Sequence, residues 1–100
     1  MTSKQRAYLR GLANSLEAIV HVGKGGVGDT IVKQADDALK ARELIKGKVL
    51  ETAPETAREA AEQVAAAVGA EVVQVIGRVF VLYRRNDEEP KIVLPKERKK

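Results

Sequence analysis

Residues 18–30 read AIVHVGKGGVGDT, and how this stretch is interpreted decides the fold. Ala18-Ile19-Val20-His21-Val22 is short, apolar and β-branched, which favours a buried strand. The run Gly23-Lys24-Gly25-Gly26-Val27-Gly28 ends that strand. Asp29 or Thr30 can cap a following helix, whose Ile31, Ala35, Ala38, Leu39 and Arg42 share one face over about residues 29–42. The unit is strand, glycine loop, helix.

Downstream, residues 44–51 (LIKGKVLE) alternate, with Ile45, Gly47 and Val49 on one face and Lys46 and Lys48 on the other, as in a half-exposed strand. Pro54 and Glu55 mark a helix start; Ala57, Ala60, Ala61, Val64 and Val68 make a small-residue stripe, and Gly69 stops the helix. Residues 71–84 (EVVQVIGRVFVLYR) form a hairpin about Gly77-Arg78, a pair suited to a type II′ turn. That register predicts Val73 and Val75 beside Phe80 and Leu82 on one face, with Val72, Gln74, Ile76, Val79, Val81 and Tyr83 on the other. Upstream, Thr2 and Gln5 fit a capping box, and Leu9, Leu12, Ala13 and Leu16 recur at helical spacing from residue 3 to about residue 15. Arg6 and Arg10 lie one turn apart on another face of that helix, where they repel unless an anion lies opposite. Beyond Asn86 the chain turns polar, with Ile92-Val93-Leu94 as its one docking segment and a loose basic tail over 96–100. The order α-β-α-β-α-β-β requires two crossovers and one hairpin. It therefore predicts a single α/β domain with a mixed four-stranded sheet and packed helices.

One hundred residues, 44% hydrophobic and 32% charged, suit one globular domain. No apolar run approaches the roughly 18–20 residues that cross a bilayer, and the N-terminus lacks a signal-peptide core, so the expectation is a cytoplasmic protein without a membrane partner. With no cysteine and one histidine, His21, thiolate and histidine-rich metal centres are excluded, and neither metal nor cofactor is expected. No paired carboxylates and no nucleophile with a base stand out, so no catalytic residue and no small-molecule substrate are assigned. Charge is segregated: residues 1–48 carry nine basic and five acidic side chains (+4), residues 49–83 two and five (−3), and residues 84–100 seven and four (+3). Such a split suits a domain with one polyanion-facing side. Three aromatics, Tyr8, Phe80 and Tyr83, are too few to stack several bases, so nucleic-acid binding would lean on phosphates.

A glycine loop before a helix N-terminus is a physical anion site. GKGGVGDT matches the phosphate-binding loop of nucleotidases at both glycines and the final Thr, but Asp29 stands where lysine must reach the β- and γ-phosphates. A phosphate-binding enzyme is therefore the lesser alternative. The other is a phosphodiester backbone clamped by Gly23-Lys24-Gly25-Gly26 as a GxxG loop in the manner of KH domains. A third is a protein-interaction domain with merely solubilising charges. A bare tight turn is the favoured reading of the glycines unless Lys24, Arg6, Arg10, Lys46 and Lys48 converge.

Taken together, Lys4-Gln5-Arg6 with Leu9-Arg10, Val22-Gly23-Lys24-Gly25-Gly26, Glu43-Leu44-Ile45-Lys46 with Lys48-Val49, Val73-Gln74-Val75-Ile76-Gly77-Arg78 with Val81-Leu82-Tyr83-Arg84, and Pro90-Lys91-Ile92-Val93-Leu94-Pro95 resemble the CRM domain. This is the chloroplast RNA splicing and ribosome maturation domain, which stands alone in the YhbY-like proteins. The resemblance places the domain over residues 1–95. It implies a fold similar to the C-terminal domain of translation initiation factor three, with a KH-like GxxG loop. It also implies a non-catalytic monomer that binds RNA, specifically ribosomal RNA of large-subunit precursors; intron splicing or another structured RNA is the alternative. Carried over by position, Gly23, Lys24, Gly25 and Gly26 would contact RNA backbone, and the basic residues Lys4, Arg6 and Arg10, with Lys46 and Lys48 on the neighbouring strand, would extend the surface. Val27-Gly28-Asp29 departs from the family's usual leucine, threonine and glutamate, and the extra glycine is expected to loosen the loop. Gly47 departs from the usual LIKVKV strand and is expected to weaken it. Asn14 stands where many members have histidine.

Overall fold

The computed structural model describes residues 1–86, 88 and 92. Its elements are α1 (Ser3–Ala13), β1 (Ala18–Val22), α2 (Asp29–Arg42), β2 (Leu44–Val49), α3 (Ala57–Val68), β3 (Glu71–Ile76) and β4 (Val79–Tyr83). The strands form one sheet in the order β1-β2-β4-β3, with β1 parallel to β2 and β4 antiparallel to both of its neighbours. The mixed four-stranded sheet expected from the element order is present. β1-α2-β2 and β2-α3-β3 advance across the sheet in the same direction, so crossovers of one hand leave both helices on one face. There Leu39, Ala60, Val64, Ile45, Phe80 and Leu82 form the larger core. Helix α1 lies on the opposite face, where Leu9 and Ala13 meet Leu44, Val73, Val81 and Tyr83.

Helix starts follow the chemistry of their caps. The Thr2–Gln5 capping box opens α1 as expected, each side chain bonded to the other's backbone amide. α3 begins later than Pro54 and Glu55 indicated: Thr56 is its cap, and Glu59 completes a second box. Gly69, at φ +71°, stops α3 in the left-handed conformation that a glycine takes without penalty. Neither Asp29 nor Thr30 caps α2. Its cap is Gly28, which offers no side chain, and Asp29 is the first helical residue, with its charge at the positive end of the helix dipole.

Two further expectations are corrected by contacts between strands. A bulge between Val72 and Gln74 leaves Val73 unpaired. The extra residue flips the start of β3, so Val72 joins Val75 on the Phe80 and Leu82 face while Val73 turns towards α1. Gly47 does not leave a gap. It pairs with Phe80 across β2 and β4, and a Cβ there would clash severely with the Phe80 ring, 2.6 Å from Cε1 and closer still to Cζ. The ring, fully buried, occupies the volume that a side chain at 47 would fill.

A buried carboxylate ties down the chain after β4. Glu43 is fully buried at φ +66°, and its carboxylate accepts the backbone amides of Asn86 at 2.6 Å and Ile92 at 2.7 Å. Ile92 packs against the α1 core as its docking motif predicted. Val93, Leu94 and the tail expected over 96–100 lie outside the described residues.

Candidate nucleic-acid interface

Covering the sheet is an unequal task for the two faces. α2 and α3 roof one face, whereas α1, at eleven residues, is only about 16 Å long and leaves part of the other open. Directly opposed residues in adjacent strands project to the same side. The register His21↔Lys48, Lys48↔Val79 and Val79↔Ile76 therefore sets one residue from each strand in a row across the open part. His21, Lys48 and Ile76 are exposed, Ile76 at 63%. In the next row Lys46 and Gln74 flank Val81, their common neighbour in β4. A groove of about 210 Å³ runs between this row and the C-terminal end of α1, where Asn14 forms its rim. Arg10, exposed and one turn before Asn14, lies along the same side of α1.

The glycine loop borders this surface. It leaves β1 at Val22, and Lys24, three residues beyond His21, is within about 10 Å of it by chain length alone. The hairpin turn reaches the same end of the sheet: Val49 N–H donates to the Arg78 carbonyl at 2.7 Å and Leu50 N–H to the Val22 carbonyl at 2.8 Å. Gly77, at φ +58°, supplies the positive φ required by the type II′ turn that the sequence predicted. Lys24, Lys46 and Lys48 are thus brought to one region of the molecule, joined by Arg78, His21, Asn14 and Gln74. Sequence reasoning could not assign these four to the surface, because the cross-strand register and the packing of α1 and the hairpin turn that gather them are non-local.

Three of the expected site residues sit elsewhere or face inward. The Arg6 guanidinium donates to the Val72 and Val73 carbonyls at the bulge of β3, the edge strand farthest from β1. Lys4, in the first turn of α1, lies towards the end of the sheet where β3 begins, since its neighbour Gln5 adjoins Glu71 and Tyr83. Gly26 is buried under the β2–α3 connection. The loop presents Lys24 and Gly25 outward, with Gly23 half-buried.

Charge pairing differs between the faces. On α2 and α3, Lys33 pairs with Asp37, Lys40 with Asp36 and Arg58 with Glu62, each one helical turn apart. Arg84 bonds Asp36 at 2.6 Å and the Val68 carbonyl at 2.9 Å, which joins both helices to the end of β4. That guanidinium holds the Asp36 carboxyl below its ordinary value of 3.8. Among the described residues, Lys24, Lys46, Lys48 and Arg10 take part in no ion pair, and Arg78 reaches only exposed Glu51, at 3.7 Å. Unneutralised cations at the margin of a half-roofed sheet are what a polyanion meets first. The described residues contain no cluster of three or more potential metal ligands, and no helix long and apolar enough to cross a membrane.

Against this geometry the family can be assigned. The model of the CRS1/YhbY (CRM) domain matches residues 1–84. The chain belongs to this family. Among its CRM relatives, the "Probable RNA-binding protein YqeI" of Bacillus subtilis is 43% identical over 95 residues, spanning 95% of this chain and 99% of that one. An "RNA-binding protein" of Haemophilus influenzae is 36% identical over 97% of both chains. The solution structure of the hypothetical protein SAV1595 from Staphylococcus aureus superposes with a TM-score of 0.79 at 44% identity, covering 95% of this chain and 99% of that one. The order and handedness of elements described above are thus those of a CRM-family structure, and the resemblance drawn from the sequence holds along nearly the whole chain.

Proposed function

We propose that this protein is a non-catalytic RNA-binding module whose contact surface runs from Lys24 and Gly25 of the glycine loop across Lys48 and Lys46 to Arg10 on α1. The observation that carries this reading is an asymmetry in ion pairing: Lys33, Lys40 and Arg58 of the helical face pair with their own neighbours, while Lys24, Lys46, Lys48 and Arg10 take part in no ion pair among the described residues. Phosphodiesters bind such a surface by displacing counterions, and the exposed amide-rich bend at Gly25 admits a backbone at close range. The relatives named as RNA-binding support the ligand class. We further propose that the target is ribosomal RNA of large-subunit precursors, bound by a cytoplasmic monomer, as the resemblance to YhbY-like proteins suggests.

A nucleotide-hydrolysing reading finds less support. The Val27 amide, which a phosphate-binding loop would aim at its nucleotide, donates instead to the Glu55 carboxylate at 3.1 Å, and Asp29 adds a second negative charge nearby. Crosslinking the protein to RNA in lysate and sequencing the attached fragments tests the proposal. Large-subunit ribosomal sequences should dominate and should fall at least fivefold with Lys24→Glu. Recovery of unrelated transcripts at equal frequency, insensitive to that change, would refute it.

A further inference from the structure

The glycine loop is held from behind by an acid. Glu55, in the connection between β2 and α3, reaches back 28 residues, and its Oε2 accepts the Val27 amide at 3.1 Å. Its Oε1 is shielded from solvent and has no hydrogen-bond donor. Both oxygens occupy the space next to Gly26: a Cβ there would lie 2.9 and 3.0 Å from them and 3.0 Å from Pro54 Cγ. Gly26 is also at φ +72°, and its amide closes a turn onto the Gly23 carbonyl at 2.9 Å. Glycine is thus required at 26 on two counts, one conformational and one steric, and the steric one is imposed by Glu55.

A carboxylate beside a loop that receives phosphate is electrostatically adverse, and an oxygen buried without a donor adds a cost of its own. Neither is expected of a residue with no task. We infer that Glu55 is the positioning residue of the loop: it takes up the inward Val27 amide and wedges the bend so that Lys24 and Gly25 face outward in a fixed conformation. This rests on the RNA-binding reading and adds to it the element that pre-organises the contact. A backbone docking on a fixed bend loses less conformational freedom than one that must order the bend as it binds.

Charge and positioning predict opposite signs, which makes the inference testable. On charge alone, removing Glu55 should tighten RNA binding, by about twofold at most once salt screening is included. If Glu55 positions the loop, Glu55→Ala should instead weaken binding to labelled large-subunit ribosomal RNA fragments by about fivefold. Glu55→Gln, which retains an acceptor oxygen for Val27, should bind as the native protein does or slightly tighter. In a Lys24→Ala background the Glu55→Ala loss should shrink, because the two act through one contact. Amide exchange supplies a readout independent of RNA: Gly26 and Val27 should exchange faster in Glu55→Ala, with the amides of β2 and β4 unchanged. Gly26→Ala, which pushes the carboxylate away from the other side, should reproduce both effects. Glu55→Ala binding as tightly as the native protein while Lys24→Ala binds weakly would overturn the positioning role and leave the RNA surface intact. Native protein that fails to bind, or binding indifferent to Lys24→Ala, would overturn the surface and this inference with it.

Discussion

Gly47 shows how a single residue can be misjudged from its own strand. In sequence it interrupts an alternating apolar run and reads as a weakness. In the fold it lies beneath the ring of Phe80, 33 positions away, which takes the space a side chain at 47 would need. Gly47→Val, which restores the family's usual residue, should therefore destabilise this protein by about 1–3 kcal/mol through overpacking, measured as a lower urea midpoint at unchanged slope. Pairing it with Phe80→Leu should recover much of the loss; an increase in stability from Gly47→Val alone would show that the ring can move aside freely. Glu43 was equally opaque. Nothing within a few residues of it marks it as buried, and the return of the chain after β4 supplies two amides to its carboxylate.

Among the elements, those with local signals were legible and those set by pairing were not. The Thr2 box, the stop at Gly69 and the Gly77 turn all depend on chemistry within a few residues, and each is found where the sequence put it. The bulge in β3 depends on β4 and on Arg6, and no pattern within residues 71–76 announces it. Arg6 consequently has a different task from Arg10 although both lie on α1. Arg6→Met should cost roughly 1–3 kcal/mol of stability by orphaning the bulge carbonyls, with a small effect on RNA affinity. Arg10→Met should do the reverse, lowering affinity without changing the melting curve; equal losses of affinity would return Arg6 to the binding surface. The joint between α2, α3 and the end of β4 is pH-sensitive. Because Arg84 depresses the Asp36 carboxyl in the folded state, the stability it contributes is present above the unfolded value of 3.8 and is lost as pH falls through the lower folded value. Asp36→Asn should flatten the acid limb of a stability–pH profile and leave the neutral-to-basic limb parallel to that of the native protein. An unchanged acid limb would mean that the pairing contributes nothing in solution.

For the whole molecule, the segregation of charge along the chain anticipated a two-sided protein but not which residues make each side. Element order fixes where the strands go and hence that β2 carries its lysines on the face opposite α2 and α3. The shortness of α1 then decides that Lys46 stays half-buried at a groove and Lys48 stays exposed. Assigning Lys4, Arg6 and Gly26 to that surface went further than a sequence can support, since helix orientation and loop depth are set by packing. RNA should meet the cations of the open face and not those of the helical face. The most direct test is the salt dependence of binding to large-subunit ribosomal RNA fragments, comparing Lys46→Gln/Lys48→Gln with Lys33→Gln/Lys40→Gln. The first pair should make the log–log slope shallower by about 1.4, two contacts at about 0.7 each for single-stranded RNA, and the second should leave it unchanged. Equal shifts from the two pairs, or a larger one from α2, would show that RNA does not bind through the open face.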